Sequence, residues 1–527
     1  MRRWAAIVSL AFTACITSSA PPSDSLQKIA DDVWHHQLDR SIELQQKFGV
    51  PIRHLPDVTF ASAQRDAEFS RTILRRLDAV QPANEEERLT AGVVRWLCQE
   101  SIEEPQLFWY RFPVTPYRTP LLGVHKVLSQ MKEEKKKPLL AEMPRLVDDI
   151  LGVLREQERR GIRVPKEEIP AVRAMLDGLA KSLSPELVRL RAHFDEAYVA
   201  EAPAGVGLSQ YPGGAEAYRA LVREETTTSL TPEQIHELGL REIARIDREL
   251  DAIRQEVGFN GSLAEFRRSL KTDPRFFAKT PEDVGERLTA PLRRIEAQVP
   301  RFFARTPKAP YGVKRLAPEF EGGTTFGYYQ VPTPAAPAGT YNFNGSKLSE
   351  RNLLWSAALI AHELIPGHHF QIARQEENES LPMIRRETFP TAFVEGWGEY
   401  AAWLGNEMGI YADPYDRAGR LMMDAMLSTR LVVDTGMNAL GWPRQRAMDY
   451  MREHTMLSDT ETATETLRYA VDIPAQALAY KIGSLKMIEL RALAKDYDVR
   501  QFHEWVIGSG ALPLPLLEEH VRRAMAR

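Results

Sequence analysis

The sequence predicts a mostly α-helical protein with one small β element. Apolar residues recur at helical spacing from Ser25 onward, with charged residues on the opposite faces. Only the segment 311–343 departs from this pattern, because it is rich in Gly, Pro, Thr and aromatic residues. From Ser349 the helical pattern resumes and continues nearly to the last residue. We therefore expect helices on both sides of a single short β segment.

The composition restricts the class of protein. The chain has 527 residues, of which 43% are apolar and 27% are charged, which is typical of an ordered protein several domain lengths long. Acidic residues outnumber basic residues by 72 to 68, and the formal net charge is −4. Such a chain lacks the basic surface of nucleic-acid-binding proteins, so we expect no nucleic-acid partner. Its two cysteines can build neither a disulfide framework nor a cysteine-based metal site.

The first 20 residues have the pattern of a secretory signal peptide. Arg2 and Arg3 precede the apolar run 4–14, which is too short for a membrane-spanning helix of about 20 residues. We therefore expect an exported protein of a bacterial envelope. Residues 1–20 take no part in the predicted fold.

Two ways of processing this leader remain open. Cleavage after Ala20 would release a periplasmic protein. The sequence Phe12-Thr13-Ala14-Cys15 instead resembles a bacterial lipobox, in which Cys15 is lipidated and becomes the new N-terminus. That second route would attach the protein to a membrane.

Residues 21–310 are predicted to form an N-terminal helical region. Thr231 and Thr280 are each followed by proline and have a side chain three positions on that suits a helix start. We expect the helices that begin there to run about six turns, to Val257 and Ala304.

Residues 311–527 are predicted to form a second helical region that contains the β element. Segments 324–330 and 339–343 are predicted as two strands of a hairpin or small sheet. We expect the two regions to form one two-lobed catalytic unit.

The most unusual segment is an apolar helix that carries three histidines within eight positions. His362 is followed by Glu363, and His368 and His369 come soon after. Burying imidazoles and a carboxylate is costly unless they are paired or bind a metal. The pattern is close to the His-Glu-x-x-His pattern of zinc peptidases, in which two histidines one turn apart share the ion and the glutamate faces the water.

The second histidine of that pattern is replaced by Pro366. A local bulge at Pro366 and Gly367 would bring His368 to the position of the second ligand. The rise along the helix and the Gly-His pair favour His368, whereas the helical phase favours His369. We favour His368 as the ligand and expect His369 to face the substrate.

A third ligand is expected from the segment 393–400. Glu395 and Glu399 lie one helical turn apart, so both can face the same site. One would bind the metal, and the other would orient a ligand or the substrate.

The chain resembles the domain-of-unknown-function 885 family, bacterial proteins regarded as candidate zinc metallopeptidases. The resemblance is clear over residues 322–494, and the N-terminal half is compatible with it. The matching motifs, in chain order, are His362-Glu363-x-x-Pro366-Gly367-His368-His369-x-Gln371, Glu395-Gly396-Trp397 with Tyr400, Arg430-x-x-x-Asp434-Thr435-Gly436 with Gly441-Trp442, and Gln476-Ala477-x-x-Tyr480-Lys481-x-Gly483. The chain departs from the family at Asn438, where a histidine is common.

A more distant resemblance is to the helical gluzincins of the thimet oligopeptidase, carboxypeptidase Taq and angiotensin-converting enzyme group. Thimet-type enzymes take their zinc-binding glutamate from Phe-Val-Glu, which favours Glu395 over Glu399 as the ligand. Their Gly-His pair favours His368. The resemblance implies a gluzincin-like multi-helix architecture with the β element beside the cleft, where an extended peptide pairs by strand addition.

These observations together predict a zinc metallopeptidase that hydrolyses short peptides, with one zinc per chain on His362, His368 and Glu395. Glu363 is expected to act as general base towards the attacking water. Tyr480, by its resemblance to the late-helix tyrosine of gluzincins, is expected to stabilise the oxyanion. Arg430 or Lys481 would bind a terminal carboxylate of the peptide. The alternative is a non-catalytic exported lipoprotein that binds a metal or a peptide, and the intact Glu363 argues against it.

Overall fold

The structure is a computed structural model that describes residues 25–318, 321, 327–333 and 336–527. The predicted signal peptide, Cys15, and residues 324–326 of the first predicted strand lie outside the described residues. Within the described part of the chain, no helix has the length and apolarity needed to cross a bilayer.

The region before the β element is helical, and its helices begin where their capping residues predict. Thr231 caps α12 through a complete capping box with Gln234, and Thr280 caps α14. Both predicted helices end within two residues of the expected positions. The helices of this region are α1 (Leu26–Arg40), α2 (Ile42–Lys47), α3 (Phe60–Leu77), α4 (Glu85–Leu107), α5 (Pro120–Ser129), α6 (Glu133–Leu140), α7 (Met143–Arg159), α8 (Ile169–Ser182), α9 (Leu187–His193), α10 (Glu196–Glu201), α11 (Gly214–Thr226), α12 (Pro232–Glu256), α13 (Leu263–Thr272) and α14 (Pro281–Phe302).

The β element is a three-stranded sheet made of β1 (Tyr311–Arg315), β2 (Gly327–Gln330) and β3 (Gly339–Phe343). The strand order is β1-β3-β2, with β1 parallel and β2 antiparallel to β3. The predicted pairing of the second and third strands is thus present, and β1 is an addition that the sequence pattern did not reveal. Because β2 lies at the edge of the sheet, one side of its backbone is free of strand pairing.

Helices resume after the sheet. They are α15 (Ser356–Glu363), α16 (His368–Glu376), α17 (Met383–Arg386), α18 (Thr391–Leu404), α19 (Pro414–Asn438), α20 (Arg444–His454), α21 (Asp459–Leu467), α22 (Leu478–Leu493), α23 (Val499–Ile507) and α24 (Leu514–Met525). A π-helical turn, Arg468–Asp472, follows α21. The described residues are mostly helical and include one small sheet, so the predicted fold class is confirmed.

One apolar core runs through both predicted regions, from Ile42 in α2 to Val521 in α24. Helix α12 of the first region packs closely on α19 of the second. A Cβ atom at Gly239 of α12 would lie 2.7 Å from the Val432 side chain. The boundary predicted near residue 310 therefore falls between α14 and β1 without dividing the core.

Helices α18 and α22 cross at two glycines. A Cβ atom at Gly396 would lie 2.5 Å from the Cα atom of Gly483, and one at Gly483 would overlap the Ala392 carbonyl oxygen. The contact is between backbones, so it tolerates no side chain on either helix.

Replacing Gly483 with Ala should therefore force α18 and α22 apart. We expect the free energy of unfolding to fall by about 1–3 kcal/mol, the usual cost of overpacking a core, as measured by urea denaturation. Gly178→Ala is the matched control, because Gly178 is exposed on α8 and a Cβ atom there meets nothing within 4 Å. The control should raise stability by about 0.5–1 kcal/mol, and an equal effect of both changes would contradict the crossing argument.

Candidate metal centre

The helix that carries the histidines is interrupted. Helix α15 ends at Glu363, residues 364–367 leave the helical path, and α16 begins at His368. Gly367 is required here, because a Cβ atom at this position would overlap the carbonyl oxygen of His362. The indole Nε1 of Trp397 in α18 donates a hydrogen bond of 2.8 Å to the Pro366 carbonyl and holds the interruption in place.

The interruption brings His368 beside His362 and both beside Glu395. The Nε2 atoms of His362 and His368 lie 3.7 and 3.3 Å from Oε2 of Glu395, and the ligand atoms of the three residues all lie within 4.8 Å of one another. The two rings approach closely because α18 has a glycine below them. A Cβ atom at Gly398 would lie 2.9 Å from Nε2 of His362.

Burial and mutual proximity shift the pKa values of these three groups. Burial lowers the pKa of His362 to about 4, so this imidazole is neutral at pH 7 and has a free lone pair. Burial works against charge on His368, but the Glu395 carboxylate raises its pKa above the usual value. Burial would also raise the pKa of Glu395, but the two neighbouring imidazoles hold that pKa well below the usual range.

The donor set fits zinc. Two imidazole nitrogens and one carboxylate oxygen are common zinc ligands, and three protein ligands leave one coordination position open. The Oε2 atom of Glu395 is buried and has no hydrogen-bond partner within the described residues. A buried, ionised oxygen without a donor is costly, and a cation held with His362 and His368 would remove that cost.

Glu363 lies next to this triad, on the last turn of α15. Burial raises the pKa of its carboxyl group to about 7, with opposing effects from His368, which lowers it, and Glu395, which raises it further. The backbone N–H of Tyr329 on the edge strand β2 points to this carboxylate. Glu363 thus connects the triad with the free edge of the sheet.

A cavity of about 180 Å³ opens beside the triad, and we refer to it as the triad cavity. His362, Glu363, Tyr480 and Arg430 all line it. The Tyr480 ring lies nearly parallel to the His362 ring, with 6.2 Å between their centroids. Four of the nine predicted site residues therefore share one cavity.

His369 points away from the triad. Its Nε2 atom donates to the Ala309 carbonyl at 3.1 Å, and its Nδ1 atom accepts from the Tyr329 hydroxyl at 3.0 Å. With both nitrogens engaged, His369 has no donor or acceptor left for the substrate contact that the sequence suggested. Its position instead fixes the side chain of Tyr329 and, with it, strand β2.

Glu399 and Lys481 also lie away from the triad cavity. Glu399 is 1% exposed and accepts a hydrogen bond of 2.5 Å from Arg420. The Lys481 ammonium is 2% exposed and pairs with Asp424 at 2.6 Å and Glu242 at 2.9 Å. Because these charges are already neutralised inside the fold, we do not include Glu399 or Lys481 among the residues proposed to bind substrate.

The amide at position 438, where the family commonly has histidine, is part of the fold. Asn438 is fully buried, donates to the Asp434 and Tyr469 carbonyls at 3.0 Å, and accepts from the Leu208 backbone at 3.0 Å. It therefore connects α19 to the first region and to the π-helical turn.

Three residues near the triad were not predicted from the sequence. Gly398 accommodates the two imidazoles, Tyr329 joins β2 to His369, and Arg468 lines the triad cavity and hydrogen-bonds the Tyr480 side chain. The glycine and the tyrosine lie inside predicted elements, but only the tertiary contacts reveal their roles. For Arg468 the sequence indicates only a common helical ion pair with Glu465, three positions earlier.

Residues 171–521 match the family described as "Bacterial protein of unknown function (DUF885)". Among curated proteins, none matches the chain.

Two solved structures share the fold. The crystal structure of a candidate lipoprotein from Colwellia psychrerythraea is 22% identical, with a TM-score of 0.84 over 95% of this chain and 98% of that one. A candidate lipoprotein of unknown function from Shewanella oneidensis is 16% identical, with a TM-score of 0.73 over 96% of this chain and all of that one. At sequence identities of 22% and 16%, the similarity shows a shared fold and nothing about activity.

The different surroundings of His368 and His369 lead to a test of metal binding. We expect the purified protein to bind about one zinc per chain, and His368→Ala to weaken zinc binding by more than about 100-fold, because a ligand is lost. The His369→Ala variant should keep its zinc, because neither ring nitrogen of His369 faces the triad in the native protein. Titration with a zinc-sensitive dye, followed by metal analysis, measures both, and equal zinc loss in the two variants would contradict the assignment.

Proposed function

The chain belongs to the DUF885 family of bacterial proteins, and we propose that it is a zinc-dependent metallopeptidase that hydrolyses short peptides. One observation carries this proposal. His362, His368 and Glu395 form a largely buried triad of metal-ligand type, and Glu363, which follows His362 on α15, lines the adjoining triad cavity. A site that only stored a metal would need no carboxylate at that position.

His362, His368 and Glu395 would hold the zinc ion through Nε2, Nε2 and a carboxylate oxygen. Bound there, zinc would supply Lewis acidity, which polarises a carbonyl group and makes a water molecule more acidic. The glycine at 398 and the burial of both imidazoles keep the donors in place before the ion arrives.

Glu363 would move the proton in this reaction. Its carboxylate would accept a proton from the attacking water and pass it to the nitrogen of the leaving amine. The hydrogen bond that the Tyr329 backbone N–H donates fixes the orientation of this carboxylate. Glu363 is half-buried, so it can reach the triad cavity while most bulk water is kept away.

Tyr480 would stabilise the negative charge that develops on the carbonyl oxygen of the substrate. Tyr480 lines the same cavity as Glu363, and Arg468 hydrogen-bonds its side chain. A hydrogen bond accepted from Arg468 would turn the hydroxyl proton of Tyr480 outward, towards that oxygen. Fixed donors of this kind need no reorganisation when charge develops, which is why they lower the barrier.

Strand β2 would align the peptide. Its outer edge is unpaired within the described residues, and Gly327 at its start lines the triad cavity. An extended peptide added to this edge would use backbone hydrogen bonds, so recognition would depend little on side chains. Such pairing suits short, unfolded peptides.

We further propose that the protein is exported and attached to a membrane through Cys15. The lipobox-like sequence supports this, as does the description of two proteins of the same fold as candidate lipoproteins. Those descriptions also keep open the alternative of a non-catalytic lipoprotein that binds a metal or a peptide.

Glu363→Gln separates the two possibilities. The variant keeps the size and polarity of the side chain but cannot accept a proton, so zinc should stay bound while peptide turnover falls about 10²–10⁴-fold. Turnover of a peptide mixture followed by mass spectrometry measures the loss, with zinc content as the control. Equal turnover in the variant and the native protein would exclude Glu363 as the base.

Tyr480→Phe tests the oxyanion role. Because the hydroxyl group would act only when charge develops, kcat and kcat/KM should fall together by about 10²–10³-fold with little change in KM. A rise in KM at constant kcat would instead make Tyr480 a residue that binds the ground state.

A further inference from the structure

The triad cavity has two chemically different walls. One wall is apolar and includes Trp355, Met423, Leu427 and Leu457, which are largely buried. The other wall is polar and carries two guanidinium groups, from Arg430 and Arg468. A wall of each kind, facing one small space, is the arrangement that binds an apolar group attached to an anion.

The two guanidinium groups of the polar wall pair with the same carboxylate. Arg430 and Arg468 share the carboxylate of Glu465, at 3.0 and 3.3 Å. The other acid on this wall, Glu461, accepts the Ser458 backbone N–H at 2.8 Å as part of the cap of α21. Glu461 therefore serves the helix cap, and among the described residues Glu465 is the acid that pairs with both guanidinium groups.

The donors on this wall are not fully used. Arg430 is 6% exposed, and its Nε and Nη2 atoms donate to Tyr469 and Glu465, whereas Nη1 makes no hydrogen bond within the described residues. The Nε atom of Arg468 is buried and likewise lacks a partner among those residues. Unsatisfied donors on buried guanidinium groups are costly, and an anion would satisfy them.

The size of the cavity limits what can enter. Its volume of about 180 Å³ is below the roughly 300–1,000 Å³ of pockets for drug-sized ligands. The space suits one amino-acid residue. Since His362 and Glu363 line the same space, that residue would lie directly beside the bond to be cleaved.

Resting on the proposed peptidase function, we infer that the triad cavity binds the C-terminal residue of a peptide. The terminal carboxylate contacts Arg430 and Arg468, and an apolar side chain packs against Met423 and Leu427. The protein is then a carboxypeptidase that prefers an apolar last residue. In the reaction, the C–N bond before that residue breaks, the oxygen of water bonds to the carbonyl carbon, and the proton that Glu363 removes from water goes to the leaving nitrogen.

A carboxylate could also come from an acidic side chain inside a longer peptide. The apolar wall argues against this source, because Met423, Leu427 and Leu457 offer an acidic side chain no hydrogen-bond donor. Three peptides separate the sources: Ala-Ala-Ala-Leu with a free C-terminus, the same peptide as its C-terminal amide, and Ala-Ala-Ala-Glu as its amide.

The first experiment measures binding without turnover. Isothermal titration calorimetry with the full-length Glu363→Gln variant should give about 10–100-fold tighter binding of the free acid than of its amide, as expected for charge-assisted hydrogen bonds. Adding Arg468→Gln should remove most of this preference, and Arg468→Lys should keep part of it. Adding Arg452→Gln is the matched control, because Arg452 forms exposed ion pairs with Asp449 and Asp459, and the preference should persist.

The second experiment measures turnover by the zinc-loaded native protein. We expect release of free leucine from the acid and at least about tenfold slower cleavage of the amide. The ratio of the two rates is the useful quantity. If Arg468 only positioned Tyr480, Arg468→Gln would slow both peptides equally and leave the ratio unchanged.

The outcomes separate this inference from the proposed function. Equal binding of acid and amide, or binding of neither, overturns the carboxylate site, as does binding of the glutamate amide as tightly as the acid. If the native protein cleaves both leucine peptides at equal rates, it is a peptidase without this specificity. If it cleaves neither but binds the acid in an Arg468-dependent way, the carboxylate site stands and the proposed catalytic function fails.

Discussion

The close contact between α18 and α22 is the constraint on which the rest of the site depends. At Gly396 and Gly483 the two backbones touch, so the helices can approach until Tyr480 on α22 lies within electrostatic reach of Glu395 on α18. The same helix α18 supplies the glycine under the imidazoles and the indole that holds the helix interruption through the Pro366 carbonyl. Helix α18, with 14 residues, thus carries the proposed ligand Glu395 and the glycine that makes room for the two imidazoles. Its tryptophan also holds the helix interruption that brings His368 beside His362.

The buried charges behind α18 contribute to this arrangement in a different way. Glu399 and Lys481 lie on the two crossing helices, and their partners Arg420 and Asp424 lie on α19. A buried ion pair gains little net stability, because desolvation offsets attraction, but removing one partner leaves an uncompensated charge. These pairs therefore restrict how α18, α19 and α22 can shift relative to one another. They lie away from the triad cavity, so their contribution to the site is through position.

Much of the site could be predicted because its chemistry depends on short-range spacing. The histidine-glutamate pair, the breaker at Pro366 and the acid two elements later indicate a metal centre without any tertiary information, and resemblance to helical gluzincins distinguished Glu395 from Glu399. The sequence did not predict which side chains face the triad cavity, because that depends on how each helix is oriented. Tyr480 and Lys481 are neighbours on α22, about 100° apart around its axis, so they face different surroundings. Strand β1 and Arg468 depend on long-range pairing, which single-sequence patterns do not encode, and the leader lies outside the described residues.

The hydrogen bond between His369 and Tyr329 has a consequence for how metal and peptide affect each other. His369 follows His368 directly, so one peptide bond joins a metal donor to the residue that fixes the edge strand. Helix α16 is therefore a common support for both. If zinc and peptide bind as proposed, ordering of this helix by one ligand would reduce the entropy that the other must lose, and thermodynamic linkage requires such an effect to be reciprocal. In a compartment where zinc is scarce, the presence of peptide would then help the protein to retain its metal.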